Sequence, residues 1–274
     1  MPDAARPPRF FVAPTNAASA GFSEGQPVDL PPTEAHHATG VLRLKVGDRL
    51  ELFDGLGGAA LGRLTRVKRG EAEAVVETVR PPARRPQPLI HLGFAVPKGS
   101  RLDWLLEKTA ELGVAGLRPV LFERSVAGGD DLSPAKRQRW LGHCIAAAKQ
   151  AGCDFLPTIG DPLSLAAFLG ETRGQPGIYG DLAPDAAGVP DALRRAAGAA
   201  GGPETAVGPA TLYIVVGPEG GFVDAERNIL RQAGFLAVRL GWTTLRIETA
   251  AVALTAAVLA SWPTCRGSQP WQDA

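Results

Sequence analysis

Two segments near the carboxyl end of the chain carry residue types suited to ligand chemistry. In Tyr213–Phe222 the apolar run YIVV leads into the glycine-rich loop GPEGGF, and a helical pattern follows. Loops that follow the strands of a parallel sheet commonly contact ligands. This loop lacks the Gly-Lys-Ser/Thr of a phosphate-binding P-loop and the spacing of a dinucleotide fingerprint. Because the carboxylate of Glu219 would repel a polyphosphate, the loop favours a ligand with hydroxyl donors or positive charge. A tight turn that binds nothing is the alternative.

The second segment, Leu240–Ala250 (LGWTTLRIETA), connects a strand to an apolar helix. Arg246 and Glu248 lie between hydrophobic stretches, where an unpaired charge is costly. An ion pair between the two residues at the start of the helix would avoid this cost, and so would a ligand. The alanine-rich helix that follows is suited to close packing, either in the core or against a second subunit.

The composition limits the class of protein. Of 274 residues, 45% are hydrophobic and 21% are charged, which permits one large domain or two modest ones and excludes wholesale disorder. The 3 cysteines are too few and too scattered for a disulfide framework or a Cys-x-x-Cys metal site, so we expect a reducing compartment and no metal. The first residues lack the apolar run of a secretory signal, and the longest apolar run, residues 250–260, is too short to cross a bilayer. We therefore expect a cytoplasmic protein without a membrane partner.

The charge pattern is compatible with a nucleic-acid partner without requiring one. The formal net charge is +1, but lysines and arginines cluster within residues 43–49, 63–69 and 80–85. A local basic stripe can bind phosphates whatever the average charge of the chain. Solvated strand faces and a basic linker would give the same pattern.

Residues 1–80 have the short alternating runs and turns of a small β-barrel. We predict strands at Arg9–Val12, Asp48–Phe53, Leu61–Val67 and Ala72–Val79, with a helical turn near Glu34–Leu42. Residues 81–88 follow as a proline- and arginine-rich linker, because prolines disfavour both helix and sheet. The domain boundary is predicted there.

Strands alternate with helices through residues 89–274, which predicts an α/β domain with a mostly parallel sheet covered on both faces. Ser100 is the predicted cap of the first helix, with Asp103 completing a capping box. The predicted strands are Leu89–Val96, Leu117–Phe122, Leu156–Ile159, Gly177–Asp181, Thr211–Val216 and Leu236–Leu240, and the later helices are 134–150, Leu163–Leu169, Asp224–Gln232 and Thr249–Ala260. Residues 183–210 are rich in Ala, Gly and Pro, so a connection without regular structure is expected.

Taken together and in this order, the motifs resemble those of the RsmE-type ribosomal RNA methyltransferases, which belong to the SPOUT (α/β-knot) class. VVGPEGGF and LRIETA are the most specific matches. PRFFV at residues 8–12, His37, GVLRL at residues 40–44 and Gly47-Asp48 resemble the family's PUA-like barrel. Lys98, EKTAELGV at residues 107–114 and ERSV at residues 123–126 resemble the start of its methyltransferase domain. The resemblance covers nearly the whole chain.

The resemblance implies a trefoil-knotted domain, a homodimer and S-adenosylmethionine held in a bent shape by three loops. Mapped onto this chain, the loops are Tyr179–Leu182, Gly217–Gly221 and Leu240–Ala250. The implied cofactor-binding residues are Tyr179, Leu182, Val216, Gly217, Pro218, Glu219, Gly220, Gly221, Leu240, Gly241, Leu245, Thr249 and Ala250. A sulfonium cation is compatible with a loop that contains Glu219 and no phosphate-binding lysine.

The family's reaction is methylation of N3 of a uridine in the decoding-centre helix of 16S rRNA, so the expected partner is that RNA or the small ribosomal subunit. Uracil N3 is a poor nucleophile while protonated, and a base or a group that stabilises the developing anion would help. We expect Arg246 to stabilise the anion and Glu219 or Glu248 to accept the proton or to support the site. The expected RNA contacts in the barrel are Arg9, Phe10, His37, Arg43 and Lys45.

Departures from the family pattern leave two other functions open. The family usually has Arg where this chain has Thr243 and Thr where it has Ile247, and Val223 replaces the usual hydroxyl residue at the start of a helix. Residues 149–153 read KQAGC instead of Glu-Gln-x-x-Arg. Cofactor binding is therefore the firmer expectation, and the alternatives are a SPOUT paralogue that methylates another nucleotide or a non-catalytic RNA-binding assembly factor. Cys153 is interpreted as a small packed residue.

Overall fold

The computed structural model describes residues 6–14, 21–126, 132–199 and 211–262. The chain divides into two compact units. The first contains the residues up to Arg85 together with Ala148–Leu156, and the second contains Pro86–Ala147 and the residues from Pro157 onward. The break after Arg85 falls within residues 81–88, but no sequence pattern indicated that Ala148–Leu156 belongs to the first unit.

The first unit is built on a five-stranded sheet. Its strands are β1 (Arg9–Phe11), β2 (Pro27–Asp29), β3 (Arg49–Phe53), β4 (Ala59–Lys68) and β5 (Glu71–Val79), in the spatial order β1-β3-β4-β5-β2. β1 pairs parallel with β3, and the other pairings are antiparallel. Helix α1 (Pro32–His36) continues into a π-helical turn, His37–Val41. The four predicted strands and the helical turn are confirmed, whereas β2 was not predicted.

The core of the first unit follows the alternation of its strands. Leu50 and Leu52 of β3 are fully buried, as are Phe10 of β1 and Ala74 of β5. The register places Leu52 opposite Ala60. Every second residue of a strand points to the same face of the sheet, so Leu50 and Leu52 lie together on the buried face.

An ion-pair network holds the segment Ala148–Leu156 in the first unit. Arg9 and Asp154 form a buried ion pair, and Arg80 Nη2 lies 3.0 Å from Asp154 Oδ1. Glu51 joins the same network, because its Oε1 lies 2.6 Å from Arg80 Nη2 and its Oε2 lies 3.4 Å from Arg9 Nε. A backbone hydrogen bond also holds this segment, because Gly57 N–H donates to Asp154 O at 3.1 Å. Charges buried in this way are stable only while they remain paired.

The second unit contains a parallel sheet, as predicted. Its strands are β6 (Leu89–Phe94), β7 (Gly116–Leu121), β8 (Thr158–Ile159), β9 (Leu163–Ser164), β10 (Gly177–Gly180), β11 (Thr211–Val216) and β12 (Leu236–Val238). The spatial order is β12-β10-β11-β6-β7-β8, and β9 pairs with the far end of β7. The helices are α2 (Ser100–Glu111), α3 (Pro134–Ala151), α4 (Leu165–Glu171), α5 (Val189–Ala199), α6 (Asp224–Gln232) and α7 (Ile247–Ser261). None of the helices in the described residues is long and apolar enough to cross a membrane.

Two local predictions in the second unit are wrong. Ser100 is the first helical residue of α2 and not its cap, since Gly99 occupies the cap position and no side chain caps the helix. Asp103 instead pairs with Arg139, with Nη2 and Oδ2 at 2.5 Å. Helix α3 begins at Pro134 as predicted, and the hydroxyl of Ser133 before it accepts a hydrogen bond from Lys136 N–H at 3.3 Å.

Helix α5 lies in residues 183–210, where no regular structure was expected. Its buried side chains are Val189, Ala192, Leu193 and Ala196, the i, i+3, i+4, i+7 spacing of an apolar helical face. Alanines contribute half of that face and also occur at partly exposed positions before the helix in the same segment, so the apolar period is weak in the sequence. Residues 200–210 lie outside the described residues.

Candidate functional site

The carboxyl ends of neighbouring strands in the second unit open into one cleft. β10 lies between β11 and β12 in the sheet. The loops that follow these three strands form the walls of the cleft. The cleft measures about 320 Å³, within the usual range for small-molecule sites. It is lined by Gly180, Asp181, Leu182, Val216, Gly217, Pro218, Glu219, Gly220, Gly221, Phe222, Arg227, Val238, Leu240, Gly241, Thr243, Thr244, Leu245, Ile247, Ala250 and Leu254.

All the residues expected to bind the cofactor line this cleft except Tyr179 and Thr249. Tyr179 is fully buried behind it, and its ring packs edge-on against Phe222 with the centroids 5.5 Å apart. Thr249 is exposed in the first turn of α7. The three loops named from the sequence therefore meet in space, while the contacts of individual residues with a cofactor stay a prediction.

The glycine-rich loop has a backbone path that few other residues would allow. A Cβ on Gly217 would lie 2.7 Å from the ring of Phe222, closer than real Cβ atoms come to a ring. Gly221 has a φ of +69°, in the left-handed region that favours glycine, and its N–H donates to Pro218 O at 2.8 Å. The loop is thus a tight turn that brings its backbone close to whatever occupies the cleft.

Glu226, which sequence reasoning missed, anchors the start of α6. Its Oε2 accepts a hydrogen bond from Val223 N–H at 2.9 Å, and its Oε1 accepts one from Glu123 N–H at 2.8 Å. Beside this anchor, Arg124 Nη1 donates to Gly220 O at 2.6 Å. Val223 lacks a capping hydroxyl, but Glu226 supplies the second half of a capping box and also ties the loop after β7 to the loop after β11. The signal available in the sequence was a glutamate at the third position of the predicted helix, which is typical of a capping box.

Replacing Glu226 by glutamine is expected to lower the free energy of unfolding by about 1–3 kcal/mol, because one backbone N–H would then face an amide N–H₂ instead of an acceptor. Since the same contacts hold the loop after β11, ligand affinity in the cleft should fall as well. Thermal unfolding and titration calorimetry measure the two effects. Glu171→Gln is the control: its carboxylate is half-exposed and pairs with Arg118 at 2.8 Å, so its loss should change stability by less than about 1 kcal/mol. Equal effects from the two variants would refute the anchoring role.

Charged groups in the cleft favour a cationic ligand. Among the described lining residues there are two carboxylates, Asp181 and Glu219, and one guanidinium, Arg227. Asp181 Oδ2 accepts a hydrogen bond from Arg227 Nε at 2.7 Å, and this bond raises the pKa of Arg227 above its ordinary value. Glu219 is exposed, and Arg101 Nη1 lies 3.5 Å from it. Asp181 lies within a predicted loop but was not among the predicted contact residues.

The three predicted catalytic residues are not equally placed. Glu219 lines the cleft, whereas Arg246 and Glu248 flank a lining residue, Ile247, without lining it themselves. Arg246 is exposed and caps α7 through its backbone position, and its side chain makes no ion pair or hydrogen bond in the described part of the chain. Arg246 is therefore not a buried charge, and its pairing with a ligand stays a prediction. Glu248 is 7% exposed, and no described residue bonds to its Oε2, so the alternative Arg246–Glu248 pair is not formed.

The RNA contacts expected from the first unit need correction. Arg9 and Phe10 are 5% and 0% exposed, so neither can touch RNA directly. Arg9 belongs to the ion-pair network, and Phe10 is core, with Lys149 Nζ 5.1 Å from its ring centre. Burial and the nearby charge of Lys149 lower the pKa of His37, which disfavours a cationic contact with phosphate. Arg43 and Lys45 are exposed and remain candidates.

Lys149 itself departs from the family pattern, and the structure gives it a partner. Its Nζ lies 2.7 Å from Glu34 Oε2 and 3.1 Å from His37 Nδ1, all within the first unit. The unusual lysine thus forms an ion pair with a carboxylate of α1.

Neither Cys144 nor Cys153 lines the cleft. Cys153 is half-buried in the first unit, and its Sγ donates to Phe155 O at 3.3 Å. Burial raises the pKa of Cys144 to about 12, so it remains a thiol at neutral pH. Cys265 lies outside the described residues. No group of three His, Cys, Asp or Glu side chains that could hold a metal occurs where side chains are described.

Comparison with known proteins assigns both units. A family model described as "RNA methyltransferase domain" matches residues 84–259, and one described as "RNA methyltransferase PUA domain" matches residues 30–77. The Synechocystis protein named ribosomal RNA small subunit methyltransferase E is 30% identical over 88% of this chain and 74% of its own. The Mycobacterium tuberculosis protein of the same name is 32% identical over 82% of this chain and 83% of its own.

Solved structures agree with these matches. The crystal structure of the Neisseria gonorrhoeae ribosomal RNA small subunit methyltransferase E, bound to S-adenosylmethionine, has a TM-score of 0.78 at 29% identity and covers 94% of this chain and 98% of its own. A Legionella pneumophila structure with bound S-adenosylmethionine has a TM-score of 0.79 at 30% identity, over 93% and 98% of the two chains.

The parallel sheet, the cleft between its loops and the PUA-like amino-terminal unit define an RNA methyltransferase of the SPOUT (α/β-knot) class. Within that class, the chain belongs to the family of ribosomal RNA small subunit methyltransferase E.

Proposed function

We propose that this enzyme transfers a methyl group from S-adenosylmethionine to N3 of a uridine in the decoding-centre region of 16S rRNA. The observation that carries the proposal is the single cleft into which Gly217–Gly221 and Leu240–Leu245 both project, beside the loop after β10. Its two carboxylates and single guanidinium suit a ligand with net positive charge, and the lining includes no lysine among the described residues.

The cofactor supplies a methyl group on a sulfonium centre, and the chain's residues hold and orient it. The tight turn Gly217–Gly221 offers backbone groups at close approach, and Glu219 places a negative charge near the cation. Arg227, whose guanidinium is oriented by its hydrogen bond to Asp181, is suited to the cofactor's carboxylate. Leu182, Leu240 and Leu254 supply apolar walls. Tyr179, buried behind Phe222, supports the cleft without entering it.

Arg246 is assigned to the substrate side of the cleft. Removal of the N3 proton leaves negative charge on the uracil oxygens. An exposed guanidinium between the lining residues Leu245 and Ile247 is suited to stabilise that charge. In this proposal Glu219, the exposed carboxylate of the cleft lining, accepts the proton. Glu248, buried in the first turn of α7, has a structural role in this proposal, because its negative charge lies at the positive end of the helix dipole.

The expected assembly and location follow from the family. We propose a homodimer in the cytoplasm that acts on 16S rRNA or on the small ribosomal subunit. Half-buried residues of α7, including Val252, Ala253 and Ala256, leave part of this helix available for a second copy. Arg43 and Lys45 of the first unit are suited to RNA phosphates.

One departure supports a second candidate, a paralogue that methylates a different RNA nucleotide. Thr243 lines the cleft at the position where the family usually has arginine. A change of charge beside the substrate changes the hydrogen bonds and electrostatics that select the accepted base.

Mapping 3-methyluridine in 16S rRNA tests the proposal. A strain lacking the protein should lose one such modification in the decoding-centre region, and purified protein with S-adenosylmethionine should restore it on subunits from that strain. Subunits from the parent strain, which already carry the modification, are the control. A methyl group at another nucleotide would support the paralogue. Cofactor binding without methylation of rRNA or of any other RNA would support an assembly factor.

A further inference from the structure

Trp242 is the most exposed large hydrophobic residue in the described part of the chain, with 92% of its surface accessible. It lies between Gly241 and Thr243, both of which line the cleft. The connection from β12 to α7 therefore carries an indole at the mouth of the cleft. No ring contact or hydrogen bond joins Trp242 to a described residue.

The surroundings of Trp242 combine apolar and polar groups. Leu182 and Leu240 line the same cleft and are also among the exposed large hydrophobic residues. Four residues further along the chain, Arg246 adds an exposed cation without an ion pair in the residues described. An exposed aromatic ring and an unpaired cation in one connecting segment are the residue types that bind single-stranded nucleic acid, since bases stack on the ring while the cation contacts phosphate or a base oxygen.

We infer that Trp242 is the platform on which an RNA base stacks at the mouth of the cleft, positioning the target nucleotide for methyl transfer. The inference rests on the proposed function, because it needs an RNA substrate at this cleft.

Access argues for RNA over a second copy of the chain as the occupant. The residues on both sides of Trp242 form the cleft that a substrate base must enter. Thr243, Thr244 and Arg246 are exposed in the same loop, and their hydroxyl and guanidinium groups can bond to bases and phosphates.

The variants Trp242→Ala and Trp242→Phe test the inference, with Trp104→Ala as the matched control. Trp104 is a second exposed tryptophan, 42% accessible, on α2 and outside the cleft lining. Affinity for a labelled 16S rRNA fragment, affinity for S-adenosylmethionine and mass by light scattering are measured for each protein. Trp242→Ala should bind RNA about 5- to 150-fold more weakly, the range expected for one lost stacked base. Trp242→Phe should recover most of that loss, and Trp104→Ala should match the wild type.

Three results would overturn the inference. Unchanged RNA affinity in Trp242→Ala would exclude stacking. A parallel loss of S-adenosylmethionine affinity would make Trp242 a cover for the cofactor, and a change in mass would make it a subunit contact. Failure of the proposed function looks different, because the wild-type protein itself would then leave the decoding-centre uridine of 16S rRNA unmethylated, whatever the Trp242 variants bind.

Discussion

Arg246→Ala is expected to lower the rate of methyl transfer about 100- to 1,000-fold, the effect of removing one donor to a developing anion. The affinity for S-adenosylmethionine should stay within about twofold of the wild type, since Arg246 does not line the cleft. Its guanidinium makes no bond with a described residue, so its removal leaves no partner unpaired and the fold should be unaffected. Single-turnover rates on subunits that lack the modification, together with calorimetry for the cofactor, separate the two quantities.

Two further variants control this prediction. Arg246→Lys retains the positive charge but lacks the planar guanidinium, which can donate two parallel hydrogen bonds. The rate of methyl transfer by this variant should therefore fall between those of the alanine variant and the wild type. Arg195→Ala removes an exposed arginine from α5, outside the cleft lining, and should leave the rate unchanged. Wild-type turnover by Arg246→Ala would remove Arg246 from the mechanism. A large loss of cofactor affinity would make it a binding residue instead.

Local patterns predicted the elements that form the cleft. The apolar run of β11, the glycine-rich loop and the polar start of α6 are contiguous in sequence, and each has a local signature. The loop before α7 was found in the same way, although α7 begins at Ile247 and not at Thr249. These loops lie together because the strand order is β12-β10-β11, and local periodicity does not predict strand order. The prediction that the loops form one site came from the family resemblance.

Long-range contacts explain what sequence reasoning missed or misplaced. Arg9 and Asp154 are 145 residues apart, and no local pattern links them. Arg9 was therefore interpreted as an RNA contact because of its charge. In the structure Arg9 is buried, and its charge is neutralised by Glu51 and Asp154. Glu226 was missed for a similar reason, because one of its two partners, Glu123, is 103 residues away.

The ion-pair network of the first unit gives the largest expected effect on stability. Glu51→Ala should lower the free energy of unfolding of that unit by about 3–5 kcal/mol. Glu51 is 1% exposed, and its carboxylate contacts Arg9 and Arg80, with Arg6 Nη2 at 3.3 Å. Without it, the buried Arg9 would share Asp154 with Arg80, leaving two cations for one carboxylate. Amide hydrogen exchange in β3 and β4 under native conditions reports the opening of this unit separately from the second.

Glu77→Ala is the matched control for this prediction. Glu77 also forms an ion pair between strands, with Oε1 2.6 Å from Arg63 Nε, but both side chains are substantially exposed to solvent. Water screens such a pair, so its removal should change the free energy of unfolding by less than about 1 kcal/mol. If Glu51→Ala also changed the free energy of unfolding by less than about 1 kcal/mol, water would have to solvate the Arg9 guanidinium once its partner is removed. The network would then not be what keeps Ala148–Leu156 in the first unit.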